Sequence, residues 1–487
     1  MSNQRTIDQV LQQQFGHSEF RGQQRQVIEN AMAGESSLVI MPTGQGKSLC
    51  FQLPAVMLPG MTIVISPLIA LMKDQVDAAK NSGLNAEFIN SSLKPGERQK
   101  RYQKLAQGKI RILYVTPERF RKTEFLQALE QNEISLLAID EAHCVSEWGH
   151  DFRPDYTRIK EFRELMGNPA TMAVTATATK KVQDDILEQS GLALDTRRFL
   201  DGVERPNLVL DVEDVYGLED KVRNIFGRYH QVAGPTIVYF SLVQSLEKAK
   251  YELQRLGLQS LTYHGQLPDR VRKQQQEQFL NSDNALILAT PAFGLGVNKP
   301  NVRSVMHAEV PGSIEAYFQE VGRAGRDGEP AHCWALFDED DISIQMDFIK
   351  WSKPDPAFIA HCFELIKRNL DRFKIEGPEF LREQMNFYNR RDFRVETCLN
   401  LLERWDVIQW QNKNPKTLEI LGEIPLEYLS KNRHANHLKA QNQKLYDLVE
   451  LFKEAGECRK PIIYKYFGVD QSEPCGHCEI CQLQKSS

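Results

Sequence analysis

Five short apolar runs, SLVIM, TIVIS, RILYV, LLAID and TMAVT, recur between residues 37 and 177, each bounded by turn or polar residues. Helical segments separate them. Runs of this length fit buried strands of a parallel sheet joined by helical crossovers. After Pro206 the pattern starts again, with TIVYF (236–240), SLTYH (260–264), ALILAT (285–290) and VRSVMH (302–307). Two consecutive sheet-and-helix units predict two α/β lobes with a cleft between them, where ligands commonly sit. At 487 residues the chain is too long for one core, and about two to four domains are expected.

Beyond residue 345 the periodicity changes. DPAFIAHCFELIKRNLDRF opens with Asp355 and Pro356 and places Phe358, Ile359, Cys362, Phe363, Ile366 and Leu370 on one helical face. A second helix, RVETCLNLLERW, leads into VIQW, the polar loop QNKNPK (411–416) and TLEIL. A helix followed by a hairpin fits a winged helix, and it equally fits other small α+β units. The expected division is 1–205 and 206–345 for the two lobes, 346–440 for the helical region, and 441–487 for a terminal metal module.

That module rests on cysteine spacing. Nine cysteines are present, and four of them, Cys458, Cys475, Cys478 and Cys481, form the pattern C-x16-C-x2-C-x2-C. Zinc takes four soft ligands in a tetrahedron, and two short spacers let one loop supply three of them. His477 could replace a cysteine, but the two-residue spacers favour the sulfurs. The distribution suits a structural zinc in a reducing compartment better than a disulfide framework. No apolar run of about 18 residues is present, so no membrane span is expected. The start, MSNQRTIDQVLQQQFG, lacks the order of a secretory signal. The formal charge of −5 argues against a uniformly polyanion-binding surface while leaving room for a local basic groove.

SLVIMPTGQGKSLCFQ places a glycine-bearing loop directly between a strand and a helix. In the stretch Thr43, Gly44, Gln45, Gly46, Lys47 and Ser48, the glycines let backbone amides approach phosphate oxygens at the positive end of the helix. Lys47 would reach the outer phosphates and the Ser48 hydroxyl would ligate magnesium. The strict motif has glycine at position 41, where this chain has Met41. LLAID then ends in two carboxylates. A lone acidic pair is commonly two solvated turn residues; alongside Lys47, Asp140 suits the metal and Glu141 suits the attacking water. The pair predicts a nucleoside triphosphatase.

The stretches FRGQQ, MPTGQGKSLCFQ, SPLIALMKDQV, TPER, DEAHCVSEWGHDFRP, TATAT, YHG, ATPAFGLGVNKPNVR and YFQEVGRAGRDG occur in this order. Through most of residues 15–340 the chain thereby resembles the RecQ-type DNA helicases of superfamily 2. The resemblance implies two tandem RecA-like lobes and an ATP-dependent, 3′-to-5′ DNA helicase stimulated by single-stranded DNA. It implies a role in DNA repair and recombination, with ATP, Mg2+ and Zn2+ as cofactors. Single-stranded and forked DNA would be its partners, and a monomer in the bacterial cytoplasm at the nucleoid its setting; the sequence does not reveal protein partners.

Residue by residue, the resemblance makes Gln24 the reader of the adenine edge, through a bidentate amide, with Arg21 against the adenine face. The family usually has tyrosine where His17 stands and proline where Gly22 stands. Arg323 and Arg326 in GRAGRDG would reach the γ-phosphate from the second lobe, Arg326 as the arginine finger. Trp148 and Phe152 would stack on unpaired bases, each worth about 1–3 kcal/mol. Arg153 would hold a phosphate or signal to the nucleotide. Ser66, Lys73, Thr116, Arg119, His264 and Thr290 read as a track for the sugar-phosphate backbone, which positions a strand without reading its sequence. Thr175 and Thr177 would link the lobes. Bacterial members place the zinc module directly after the second lobe, whereas here residues 346–457 intervene.

Overall fold

Alternate residues of a strand face opposite sides of its sheet, so a run that is apolar throughout needs cover on both faces. In the computed structural model, Leu38, Ile40, Ile63, Ile65, Leu137 and Ile139 join one core. Val39, Val64, Leu136 and Ala138 join Phe51 and Ala55 in another. Burial of each such side chain contributes about 1.5–3 kcal/mol. The structure describes all residues except 1–4, 43, 68, 147–153, 295–296, 298, 386–392, 411–417, 454–455, 470–472 and 487.

The first lobe carries β1 (Ser37–Ile40), β2 (Met61–Ile65), β3 (Ala86–Ile89), β4 (Ile112–Val115), β5 (Ile134–Ile139), β6 (Ala170–Thr175) and β7 (Arg197–Leu200). Their order is β3-β4-β2-β5-β6-β1-β7, and every pairing is parallel. The five predicted runs are all present; β3 and β7 are additions. Both lie at sheet edges and carry charges. Glu87 of β3 is buried where Lys104 (2.7 Å), Arg101 (3.4 Å) and Lys80 (3.8 Å) meet its carboxylate.

The second lobe carries β8 (Leu208–Asp214), β9 (Thr236–Tyr239), β10 (Leu261–Tyr263), β11 (Leu286–Ala289), β12 (Ser304–His307) and β13 (Ala331–Phe337). Their order is β10-β11-β9-β12-β13-β8, again parallel throughout. The four predicted strands correspond to β9–β12. Val238, Leu288, Met306 and Leu336 pack against Ile225, Leu246 and Leu253 of the covering helices.

The chain divides into two units. Met1–Pro311, Glu315–Phe337 and Leu451–Ser487 form one; Gly312–Ile314 and Asp338–Glu450 form the other. The second unit has its own core, including Ile359, Phe363, Ile366, Phe380, Cys398 and Leu402. The single amphipathic helix expected there is two, Pro356–Arg368 and Leu370–Glu376. Asn369 breaks it: its side-chain amide donates to the Leu365 carbonyl (3.1 Å), a local bond that competes with helix continuation. Helix Arg394–Arg404 then leads to the antiparallel strands β14 (Ile408–Trp410) and β15 (Leu418–Ile420). The QNKNPK loop between them lies outside the described residues.

The cysteine segment belongs with the lobes. Its helices Arg459–Tyr466 and Glu479–Ser486 pack on the second lobe, where Phe467 meets Phe318 at 5.4 Å between ring centroids. The Glu479 carboxylate accepts from the Val212 amide of β8 at 3.1 Å. Residues 346–457 therefore separate the module from the second lobe in sequence without separating it in space. Among the described residues, no helix is long and apolar enough to cross a membrane.

Candidate nucleotide site and zinc centre

Ligands of parallel α/β sheets gather at the carboxyl ends of the strands. There β1 runs into the glycine loop and then helix Leu49–Met57, with Ser48 at its start making no side-chain capping bond. Met41 keeps the strand going at the position where the strict motif has glycine. Its amide donates to the Thr175 carbonyl (3.0 Å) and its side chain is fully buried. Gly44 has φ +92°, a backbone conformation open chiefly to glycine. A Cβ at that position would also lie 3.4–3.6 Å from the side-chain carbons of Arg326. The second lobe's arginine thus rests directly on the first lobe's phosphate loop. Thr43 lies outside the described residues.

Gln24 is buried and its amide is engaged. Nε2 donates to the Gln45 (2.7 Å) and Gly46 (3.2 Å) carbonyls, and Oε1 accepts from the Arg21 amide (2.9 Å). It ties residues 21–24 to the phosphate loop, so reading an adenine requires it to exchange partners. Gly22 sits at φ +47°, which proline cannot adopt, and a side chain there would collide with the Asp201 carboxylate. Asp201, just past β7, accepts from the Gln23 amide at 3.3 Å. The departure from the family's proline at 22 is thus matched by a carboxylate that braces the same turn.

Asp140 is buried and accepts from the Ser66 hydroxyl at 3.4 Å. Burial pushes its carboxyl up to about 7, Glu141 pushes the same way, and Lys47 opposes both. A buried carboxylate that resists ionising beside a lysine and a free-standing serine fits a divalent cation, which would relieve the charge. Asp140 and Ser48 would hold it. Glu141 adopts a left-handed conformation, φ +49°, at a cost of about 1–2 kcal/mol that structures retain where a side chain must be aimed. His143 Nδ1 lies 3.4 Å from its Oε2 and 2.9 Å from the Thr175 hydroxyl, which in turn donates to the Thr177 carbonyl at 3.3 Å. The TATAT strand end is thereby hydrogen-bonded to His143, whose ring lies beside Glu141 without bonding its Oε2, an oxygen with no hydrogen-bond partner among the described residues. Sequence reasoning missed His143; its place two residues after the second acid was the available signal.

Arg323 and Arg326 are held by carbonyls. Arg323 donates to Gly294 and Arg326 to Val297 (2.8 Å). Burial and the neighbouring Arg323 lower the Arg326 guanidinium to about 10. Like charges collected in a dry site favour an anion among them. Beneath them, His307 Nε2 lies 2.7 Å from the Glu320 carboxylate, a second pair that sequence reasoning missed.

The expected backbone track is placed unevenly. Ser66 and Thr116 are buried, and Ser66 faces Asp140. His264 is buried against Glu247 at 3.0 Å. Lys73 is exposed on helix Ile69–Asn81, Thr290 is partly exposed just past β11, and the Arg119 Nε is buried without a hydrogen-bond partner among the described residues. Trp148, Phe152 and Arg153 lie outside the described residues.

The four terminal cysteines converge. Their sulfurs lie within 4.8 Å of one another, with 3.9 Å between Cys458 and Cys478 and 4.0 Å between Cys475 and Cys481. A tetrahedron of zinc–sulfur bonds needs sulfurs about 3.8 Å apart, so the set fits zinc. Amides of Cys475 (3.3 Å) and Cys478 (3.3 Å) point at ligand sulfurs, as thiolates require. Four sulfurs would complete the tetrahedron, which fits a structural zinc rather than a catalytic one.

Two parallel-sheet lobes meeting at a glycine loop are the architecture of a helicase-type core. Three family models match in chain order: DEAD/DEAH box helicase over 21–185, helicase conserved C-terminal domain over 219–328, and RecQ zinc-binding over 424–482. The Bacillus subtilis (strain 168) "Probable ATP-dependent DNA helicase RecS" is 37% identical over 368 residues, covering 75% of this chain and 74% of that protein. The chain belongs to the RecQ family.

The ATP-dependent DNA helicase RecQ of the same bacterium is 43% identical, over 71% of this chain and 58% of that protein. Its Haemophilus influenzae namesake is 33% identical over 97% of this chain and 63% of that protein. The chain thus spans about three-fifths of those RecQ proteins. Among solved structures, the helicase MrfA bound to DNA and AMPPNP shares the fold at TM-score 0.57 and 20% identity, covering 71% of this chain and 52% of that one. Saccharomyces cerevisiae Dbp5 bound to RNA and ADP BeF3 does so at 0.57 and 15%, covering 70% and 90%.

Proposed function

We propose that the chain is an ATP-dependent DNA helicase in which single-stranded DNA stimulates ATP hydrolysis and lobe movement converts it into 3′-to-5′ travel. The observation that carries this reading is Arg326 of the second lobe lying against Gly44 of the first. An arginine so placed acts on the outer phosphate only while the lobes are together, which makes hydrolysis report lobe closure.

In this reading Lys47 holds the outer phosphates, and Arg21 with Gln24 holds the base. Ser48 and Asp140 would hold magnesium, whose charge would offset that of the phosphates. Glu141 orients the attacking water and takes its proton, and His143 keeps that carboxylate aimed. Arg326 and Arg323 stabilise the charge of the transition state. Lys73, Arg119 and Thr290 position the strand through its phosphates, and Trp148, Phe152 and Arg153 sense it. Opening one duplex step costs on average about 1.4 kcal/mol of stacking, so a motor that traps thermal fraying and advances suffices. Work in repair and recombination on forked DNA, by a monomer in the bacterial cytoplasm, is the corresponding cellular role. The names borne by its B. subtilis and H. influenzae relatives support the DNA substrate.

The test is phosphate release with and without a single-stranded oligonucleotide, followed by unwinding of duplexes carrying a 3′ or a 5′ tail. Stimulation by DNA and unwinding from the 3′ tail alone are expected. Unwinding from the 5′ tail, or of RNA duplexes only, would reject the proposal.

A further inference from the structure

The arginine loop is not held by its own lobe's sheet alone. Arg205 lies in the connection between β7 and β8 and is 9% exposed. Its Nη1 donates to the Gly322 carbonyl (3.0 Å), and its Nη2 donates to the carbonyls of Ala324 (2.6 Å) and Gly325 (2.9 Å). Those three carbonyls bracket Arg323 and lead into Arg326. Two residues on, Asn207 Nδ2 donates to the Gly325 and Glu329 carbonyls, each at 2.8 Å. No carboxylate lies within ion-pair distance of Arg205 among the described residues. A buried guanidinium satisfied by neutral carbonyls gains geometry rather than charge neutralisation, because its planar fork fixes several acceptors at once.

The other side of Arg205 is gripped by the zinc module. Its amide donates to the Tyr464 hydroxyl at 2.8 Å. Its own carbonyl and that of Pro206 accept from Lys460 Nζ, at 2.9 and 3.0 Å. Lys460 and Tyr464 both lie on helix Arg459–Tyr466, whose N-cap is the zinc ligand Cys458. A continuous path therefore runs from Cys458 along its helix, through the hydrogen bonds of Tyr464 and Lys460 to Arg205, and from Arg205 to the loop that lays Arg326 on Gly44.

We propose that Arg205 is a positioning residue for ATP hydrolysis, through which the zinc module sets the placement of the arginine loop. This rests on the reading of Arg326 as the arginine that acts on the outer phosphate. Nucleotide binding is left to the first lobe, so Arg205 affects turnover and not affinity.

The test is a double-mutant cycle on the full, zinc-loaded chain, measuring DNA-stimulated ATP hydrolysis. Arg205→Lys keeps the charge and loses the fork. It is expected to lower kcat about thirtyfold, with KM for ATP within about twofold and the zinc content of the parent protein. In an Arg326→Ala background the same change is expected to cost less than about twofold, because a residue that acts through Arg326 has nothing further to lose. Tyr464→Phe removes one hydroxyl only, should lower kcat about fivefold with the same dependence on Arg326, and carries the test if Arg205→Lys does not fold. Full loss repeated in the Arg326→Ala background, or unchanged kcat in both Arg205→Lys and Tyr464→Phe while Arg326→Ala is impaired, would overturn the inference. An Arg326→Ala protein with parental kcat would instead overturn the arginine-finger reading, and the inference with it.

Discussion

At the carboxyl ends of β1 and β5 the first lobe presents a glycine loop, a lysine and two carboxylates. The second lobe, with the same parallel construction, contributes a loop with the buried Arg323 and the half-buried Arg326 ahead of β13. In the proposed reading, the first lobe's groups grip a magnesium nucleotide. The other carries charge that is useful chiefly when negative charge builds up in the transition state. On the proposed function, the difference teaches why two similar sheets are needed: division of binding from charge stabilisation would make turnover conditional on their meeting, a condition that a nucleic acid would control.

The division predicts unequal kinetic signatures. Lys47→Ala should have the largest effect, lowering kcat/KM for ATP by about ten-thousandfold in steady-state phosphate release, because ground state and transition state both lose the ammonium. Arg326→Ala should lower kcat by about a thousandfold while leaving equilibrium binding of a non-hydrolysable ATP analogue nearly intact. Similar loss of affinity in both variants would erase the distinction between the lobes. His143→Ala, which removes the ring lying 3.4 Å from the Glu141 carboxylate, should lower kcat by about tenfold with KM unchanged. Lys73→Ala should be mildest, weakening single-stranded DNA binding about threefold and reducing the slope of affinity against salt by about one, as a single phosphate contact requires. A fluorescence anisotropy titration over several salt concentrations reads both quantities.

Much of the first lobe was legible because its chemistry is consecutive in the chain. Lys47 and Asp140 each follow an apolar strand, and strand ends deliver them to one edge. Strands β3 and β7 were not legible, because Glu87, Arg197 and Arg198 break the apolar signal at sheet edges where burial depends on partners from elsewhere. Strand β13 is buried, yet AHCWALF holds few β-branched residues and no alternation to mark it. The second lobe's site was legible in name only: GRAGRDG announced two arginines, but nothing local announced Arg205, whose acceptors lie 117 to 120 residues away. The zinc ligands could be read from spacing, whereas their packing on β8 could not, since residues 346–457 stand between them and the lobe. Long-range hydrogen bonds leave no periodic trace in a sequence, and these bonds set the arginine loop.

The most direct measurement is the affinity of ADP with aluminium fluoride, a mimic of the transferring phosphoryl group, for the parent and Arg326→Ala proteins with and without single-stranded DNA. DNA should tighten binding to the parent by about a hundredfold or more and the variant far less, since Arg326 is the main group that distinguishes this mimic from a ground-state nucleotide. Equal tightening in both proteins would mean that the charge is stabilised from within the first lobe, and the account of a site completed by lobe closure would be wrong.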